Sequence, residues 1–207
     1  MGNLKLSKTE KNTINLDTKK IFTIMIVSSH EFEEEKILSS LNNIIHEKKI
    51  KVCIAPRHPS RANEISKILN KYKLSYSFDS KYDNYDNDVI IIDSFGNLDK
   101  YYYKSEIIIL GGSFISKGGH NPLEPAKYGC ALITGNLVYN WQNIYDEMVK
   151  EKACIMINNV NNLNNIIDEL MLNKSLIEDY KQKALDFSNR DFFDNETLFK
   201  EINMVLI

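Results

Sequence analysis

The sequence has little cysteine, little glycine or proline, almost no net charge and no long apolar run. Its three cysteines, Cys53, Cys130 and Cys154, stand singly in apolar stretches without C-x-x-C spacing. That excludes the common zinc and redox signatures and reads as buried thiols of a reducing compartment. A formal charge of −2, with acidic and basic residues interleaved, leaves no footprint for nucleic acid. No apolar run approaches the roughly 18 to 20 residues of a membrane span, and the polar start MGNLKLSKTEKN has no signal-peptide pattern. The expectation is a cytoplasmic chain that reaches a membrane surface only through a partner. What is there is 43% apolar residues in a chain of 207, enough for one large domain or two small ones with a real core.

Residues 1–19 are polar, rich in Lys, Asn and Thr, and read as a linker; the folded unit is expected to cover 20–207. Six short apolar runs follow, IFTIMIV (Ile21–Val27), KVCIA (Lys51–Ala55), VIIID (Val89–Asp93), EIIIL (Glu106–Leu110), CALIT (Cys130–Thr134) and ACIMI (Ala153–Ile157). Continuous runs of this length fit strands covered on both faces. Between the first two, Ile37, Leu38, Leu41, Ile44 and Ile45 recur at helical spacing, which makes a βαβ unit. Residues 60–73, 140–150, 161–171 and 174–188 also read as helices. The alternation predicts a Rossmann-like, doubly wound, mostly parallel α/β sheet.

The scarce turn-formers are concentrated in GGSFISKGGHNPLEPAKYG, Gly111 to Gly129, which holds five of the eight glycines and two of the four prolines. It follows the EIIIL run, so the order is strand, glycine loop, helix start. Ligands of open α/β sheets sit off the carboxyl ends of strands, where glycines let backbone N–H groups approach a phosphate. The spacing is neither G-x-G-x-x-G nor a P-loop. At the helix start Asn121 is a good N-cap, Pro122 suits the first helical position and Glu124 completes an N-x-x-E capping box. Locally, Asn121 and Glu124 read equally well as a helix cap and as ligand contacts.

This stretch, with Asn140 and Trp141 downstream, resembles the GGS…GGHNPLEP signature of the Kdo transferases, which move 3-deoxy-D-manno-octulosonic acid (Kdo) from CMP-Kdo onto a lipid A precursor. SSHEFEEE (Ser28–Glu35), PRHPSR (Pro56–Arg61), DSFGNL (Asp93–Leu98) and GNLK (Gly2–Lys5) are similar to further motifs of that family, in the same order. The resemblance covers the family's carboxyl-terminal half. It implies the nucleotide-sugar domain of a GT-B glycosyltransferase with residues 1–19 at the interdomain junction, and an inverting transfer without metal or cofactor.

Carried over residue by residue, the resemblance implies CMP contacts from Pro56 and Arg57, from Phe95, Gly96 and Asn97, and from Asn121, Pro122, Leu123 and Glu124. Arg57 suits charge-assisted bonds to phosphate, and Glu124 suits acceptance from the two hydroxyls of a ribose. Lys5 stands where the family has a lysine that offsets charge on the leaving phosphate, although a linker lysine fits the same position. Asn97 replaces a family glutamate, Phe95 a methionine-like residue and Phe32 a glycine or other small residue. His30, Glu31 and Glu34, with Gly112, Ser113, Gly118, Gly119 and His120, are candidates for sugar or phosphate contacts. Glu31 and Glu34 also read as carboxylates of a helix's first turn, favoured by its dipole. His58 and His120 are too scattered for a metal site and suit supporting hydrogen bonds.

The resemblance further implies that the lipid acceptor site and the catalytic base belong to an amino-terminal half that precedes GNLK in the family. The chain alone is then expected to be inactive, with the missing half supplied on a separate chain or in a longer protein at the cytoplasmic face of the inner membrane. Two alternatives stay open on the residues alone. One is a non-catalytic nucleotide-sugar-binding remnant; the other is a GT-B domain that uses a UDP-sugar.

Overall fold

The computed structural model describes residues 21–48, 50–81, 86–96 and 98–190. The expectations for residues 1–19, with Lys5, and for Asn97 lie outside the described residues. The elements run β1 (Thr23–Ser29), α1 (Glu33–Lys48), β2 (Lys51–Pro56), α2 (Ala62–Lys71), β3 (Tyr76–Phe78), β4 (Val89–Ile91), α3 (Asp99–Tyr102), β5 (Ile107–Leu110), α4 (Leu123–Ala126), β6 (Ala131–Gly135), α5 (Gln142–Lys150), β7 (Ile155–Ile157), α6 (Leu163–Leu172) and α7 (Lys174–Ser188). Every strand pairing is parallel, and the spatial order is β3-β4-β2-β1-β5-β6-β7. The order reverses at β1 and β5, which is where an open sheet of this kind leaves a crevice at its carboxyl edge.

The apolar runs give this sheet because alternate side chains are needed on both faces. Ile24, Ile26, Val52, Ile54, Ile107, Ile109 and Ile133 point to one face and pack with Ile37, Leu41 and Ile44 of α1, Ile65 and Leu69 of α2, and Leu163 and Ile167 of α6. Met25, Val27, Cys53, Ala55, Ile108, Leu110 and Leu132 point to the other, against Tyr101 and Tyr102 of α3, Leu123 of α4, Tyr145 and Met148 of α5, and Phe187 of α7. Helix α7 joins the two cores, since Ile177 belongs to the first and Ala184 and Phe187 to the second. All three cysteines are free and buried. Burial pushes the Cys53 thiol up to about 12, as expected of inert structural thiols. Among the described residues no helix is long and apolar enough to cross a membrane.

The expected strands are present with ends shifted by one or two residues. Two short elements were not expected. Strand β3 has three half-buried residues at the sheet edge, and α3 is a single turn after a loop; neither carries an apolar run or a helical period long enough to register.

One close contact locks the edge where the crevice lies. The last residue of β6, Gly135, runs so near the glycine loop that a Cβ there would stand 2.2 Å from the Ser113 carbonyl oxygen. Gly129 lies at the opposite extreme, with a positive φ of 64° and nothing within 4 Å of where its Cβ would be. Overpacking against backbone costs about 3 kcal/mol, whereas a left-handed alanine alone costs about 1 to 2 kcal/mol. For a domain of this size Gly135→Ala is expected to lower Tm by roughly 6–12 °C and Gly129→Ala by roughly half that or less, both read by calorimetric melting.

Candidate functional site

The carboxyl ends of β1, β2 and β5 are tied to one another by main chain. Arg57 N–H donates to the Ser29 carbonyl at 2.8 Å, and Gly111 N–H to the Val27 carbonyl at 2.8 Å. The join is tight: Ser28 bulges out of register at φ 56°, and a Cβ on Gly111 would meet the Ser28 carbonyl oxygen at 2.5 Å.

The glycine loop is then fixed by a residue absent from the expected site, Glu33. It is the first residue of α1, it is fully buried, and its carboxylate accepts four backbone N–H groups. Oε2 takes Gly112 at 2.7 Å and His30 at 3.2 Å; Oε1 takes Phe114 at 3.0 Å and Ser113 at 3.1 Å. Burial raises its pKa while those four bonds oppose the rise by favouring the charged form. The amides of Gly112 and Ser113, expected near a phosphate, are therefore engaged by a protein carboxylate in the free chain. They already point inward at a carboxylate, and the Ser113 hydroxyl links the Leu110 carbonyl to Gly135 N–H. Gly118 and Gly119 are likewise buried, against Asn140 and Val138. These glycines allow chain segments to pack closely.

Glu31 and Glu34 both meet one arginine. Glu34 is fully buried, and its Oε2 accepts from Arg61 Nη2 at 2.7 Å and its Oε1 from Arg61 Nε at 3.0 Å. Glu31 is exposed, 3.7 Å from the same guanidinium. A buried carboxylate left without its arginine would be costly, so Glu34 clamps the PRHPSR turn through Arg61. Phe32 is exposed at 74% and held at φ 66°. A left-handed phenylalanine is strained by roughly 1 to 2 kcal/mol, which is the physical meaning of a glycine at that place in the resembled motif.

What faces outward is a different set. A cleft at the ends of β1, β2 and β4 is lined by Ser28, Pro56, Arg57, Pro59, Ser94, Phe95, Gly96 and Leu98. Arg57 is exposed and forms no ion pair with any described residue. Phe95 is exposed at 79%. Beside the cleft, His30 and His120 form a contact between imidazoles with His58 edge-on to it. The His30 pKa is lowered to about 4 by burial, then by His120, Lys117, His58 and Arg57, so cationic groups converge here. Among the described residues no group of three or more His, Cys, Asp or Glu side chains is placed to hold a metal ion.

The HNPLEP turn is joined to α3 by tyrosines. Tyr102 hydroxyl donates to Glu124 Oε1 at 3.5 Å, Tyr102 and Tyr128 rings are 4.9 Å apart, and Tyr128 hydroxyl donates to Asp99 Oδ1 at 2.5 Å. The capping expectation is corrected in detail. The helix begins at Leu123, one residue later than expected, and Asn121 Oδ1 accepts from Leu123 N–H at 2.9 Å. Glu124, expected to close a capping box on Asn121, meets the Tyr102 hydroxyl instead and is exposed. Pro122 and Leu123 are buried, which leaves Asn121 and Glu124 as the side chains this turn presents.

No family model matches the chain. Among curated proteins it is 32% identical over 149 residues to 3-deoxy-D-manno-octulosonic acid transferase of Haemophilus influenzae, across 70% of this chain and 35% of the relative. It is 31% identical over 156 residues to the protein of that name in Aquifex aeolicus, across 75% of this chain and 43% of the relative. Among solved structures it matches the C-terminal CMP-Kdo binding domain of WaaA from Acinetobacter baumannii. The TM-score is 0.78 at 27% identity, covering 83% of this chain and 91% of that one. The chain is homologous to the carboxyl-terminal part of the Kdo transferases. Its fold is that of the Rossmann-like C-terminal domain of a GT-B glycosyltransferase. The chain spans less than half the length of the curated relatives it matches.

Glu33→Gln keeps one acceptor oxygen but turns an amide NH2 toward two of the four N–H groups. Buried donors without acceptors cost about 1 to 3 kcal/mol each. The expected result is a Tm lower by roughly 6–12 °C and faster hydrogen exchange at the Gly112, Ser113 and Phe114 amides, with distant amides of α6 unchanged.

Proposed function

We propose that this chain is the CMP-Kdo-binding half of a Kdo transferase, an inverting and metal-independent transfer of Kdo to a lipid A precursor in lipopolysaccharide synthesis. One observation carries the reading. The exposed Arg57 lines one cleft with Phe95, Gly96 and Leu98, and the exposed Glu124 of a third motif contacts Tyr102 of α3, the helix that follows Leu98, in a chain homologous to Kdo transferases.

In this reading Arg57 binds the phosphate of CMP from the end of β2, a fixed point because its own N–H is bonded to Ser29. A guanidinium there stabilises the negative charge that grows on the departing CMP phosphate. Glu124 accepts from the ribose hydroxyls, and Phe95 with Gly96 and Asn97 borders the base. Lys5 would add a second cation at the leaving group. The acceptor and the base that deprotonates it belong, in this reading, to the part of the relatives that this chain does not span, whether on the same or a separate chain. The working place is then the cytoplasmic face of the inner membrane.

The substitution of Asn97 for a glutamate favours a second reading, a nucleotide-sugar-binding remnant without catalysis. Both readings require CMP binding.

Calorimetric titration tests the site. CMP is expected to bind more tightly than UMP, and UMP preference would point to a UDP-sugar instead. Because Glu124 meets only a long hydroxyl contact in the free protein, Glu124→Gln is expected to leave Tm unchanged. A bond from a ribose hydroxyl to a charged carboxylate is worth about 1.5 to 3 kcal/mol, so CMP affinity should fall roughly tenfold or more, and 2′-deoxy-CMP affinity less. Equal CMP affinity for variant and parent would remove Glu124 from the site.

A further inference from the structure

His30, just past β1, and His120, at the end of the glycine loop, face each other with their Nε2 atoms 2.8 Å apart. Their rings are nearly parallel, 8° between planes and 5.1 Å between centroids. At that distance one Nε2 donates and the other accepts, so the pair holds a single hydrogen between the two nitrogens. Two N–H groups cannot face each other there. The loop leaves room for both rings: a Cβ on Gly112, which has φ 70°, would stand 2.9 Å from His120 Cδ2 and 3.5 Å from His30 Cδ2.

The surroundings are cationic. Arg57 and the edge-on His58 approach from the end of β2, and Lys117 from the glycine loop. From the α1 side come only carboxylates already committed, Glu33 to four amides and Glu31 and Glu34 to Arg61. On the α5 side the Tyr145 hydroxyl bonds the His120 carbonyl at 2.8 Å. The neutral pair is thus a half-buried donor and acceptor amid positive charge, with the carboxylates of the adjoining helix turned away from it.

We propose that the His30–His120 pair is a proton-coupled oxyanion clamp for the nucleotide sugar. An incoming oxyanion breaks the Nε2···Nε2 hydrogen bond, the accepting Nε2 takes one proton from solvent, and both imidazoles then donate Nε2–H to the oxyanion. The added proton offsets one unit of ligand charge, and no other bond is made or broken. The oxyanion is either the phosphate of CMP or the carboxylate of Kdo. The proposal rests on the nucleotide-sugar reading above and adds to it a mechanism of charge matching.

The sign of the linkage follows. In the free protein burial and the neighbouring cations favour the neutral pair, lowering His30 to about 4 and lowering His120 as well. A bound oxyanion opposes those cations and raises the pKa of the pair. Affinity should therefore rise as pH falls between the bound and free values, about tenfold per unit for one proton.

The test is imidazole 15N NMR of the chain at pH 6.5, alone and with CMP, cytidine or free Kdo. Alone, the pair should show one protonated and one unprotonated Nε2. With CMP, or with free Kdo alone, both Nε2 atoms should become protonated, and the ligand that achieves this names the source of the oxyanion; cytidine should not. Calorimetry in two buffers of different ionisation enthalpy should show the effective oxyanion taking up about one proton more with the parent chain than with His120→Gln. If CMP binds and the pair stays neutral with both CMP and Kdo, the clamp is overturned while the nucleotide-binding reading stands. If neither ligand binds at millimolar concentration, both are overturned.

Discussion

A single buried carboxylate sets the shape of the sheet's working edge. Glu33 lies at the start of α1, yet three of its four hydrogen bonds go to residues about eighty positions later, in the loop after β5. A loop that leaves a strand end has several unpaired amides, and in most sheets of this kind those amides are free to meet a ligand. Here a protein carboxylate occupies them. The carboxylate ties the loop to the start of α1, where His30, whose own amide shares the same carboxylate, meets His120 at the loop's far end.

That substitution explains how charge is arranged around the site. The acidic run EFEEE falls at a helix start where three sequence neighbours point about 100° apart. Glu33 turns into the glycine loop, Glu34 onto Arg61, and Glu35 outward to Lys71 at 2.5 Å. With these carboxylates engaged, Arg57 and Lys117 stand near His30 without an ion pair among the described residues, an arrangement that favours an anion electrostatically. Glu124 meets the hydroxyl of Tyr102 of α3, whose ring packs against Tyr128 just past α4.

The fold was legible because Ile, Val and Leu runs such as IIIL can be satisfied on both faces only by a parallel sheet, and the Ile37–Ile45 spacing admits only a helix. Edge strand β3 was hidden because YSF alternates over only three half-buried residues, too few to register as a period. The motifs of the site were legible as a resemblance, but the direction of each side chain was not. Sequence cannot separate Glu33 from Glu34, since both sit in one acidic run and differ only in which neighbour they meet. Nor can it tell a glycine that admits a phosphate from one that admits a backbone carbonyl, as at Gly111. The N-x-x-E pattern at Asn121 gave half of its expected cap, because the Tyr102 hydroxyl took the place at Glu124 that Asn121 N–H was expected to fill.

The central claim is that a cytidine nucleotide binds at this carboxyl edge, with its phosphate toward Arg57 and the two histidines and its ribose toward Glu124. A crystal structure of the chain soaked with CMP tests it most directly. The account predicts phosphate density within hydrogen-bonding distance of the Arg57 guanidinium, ribose hydroxyls on the Glu124 carboxylate, and the Gly112–Phe114 amides still bonded to Glu33. CMP seated away from that edge, or a phosphate that displaces Glu33 from the glycine-loop amides, would contradict it.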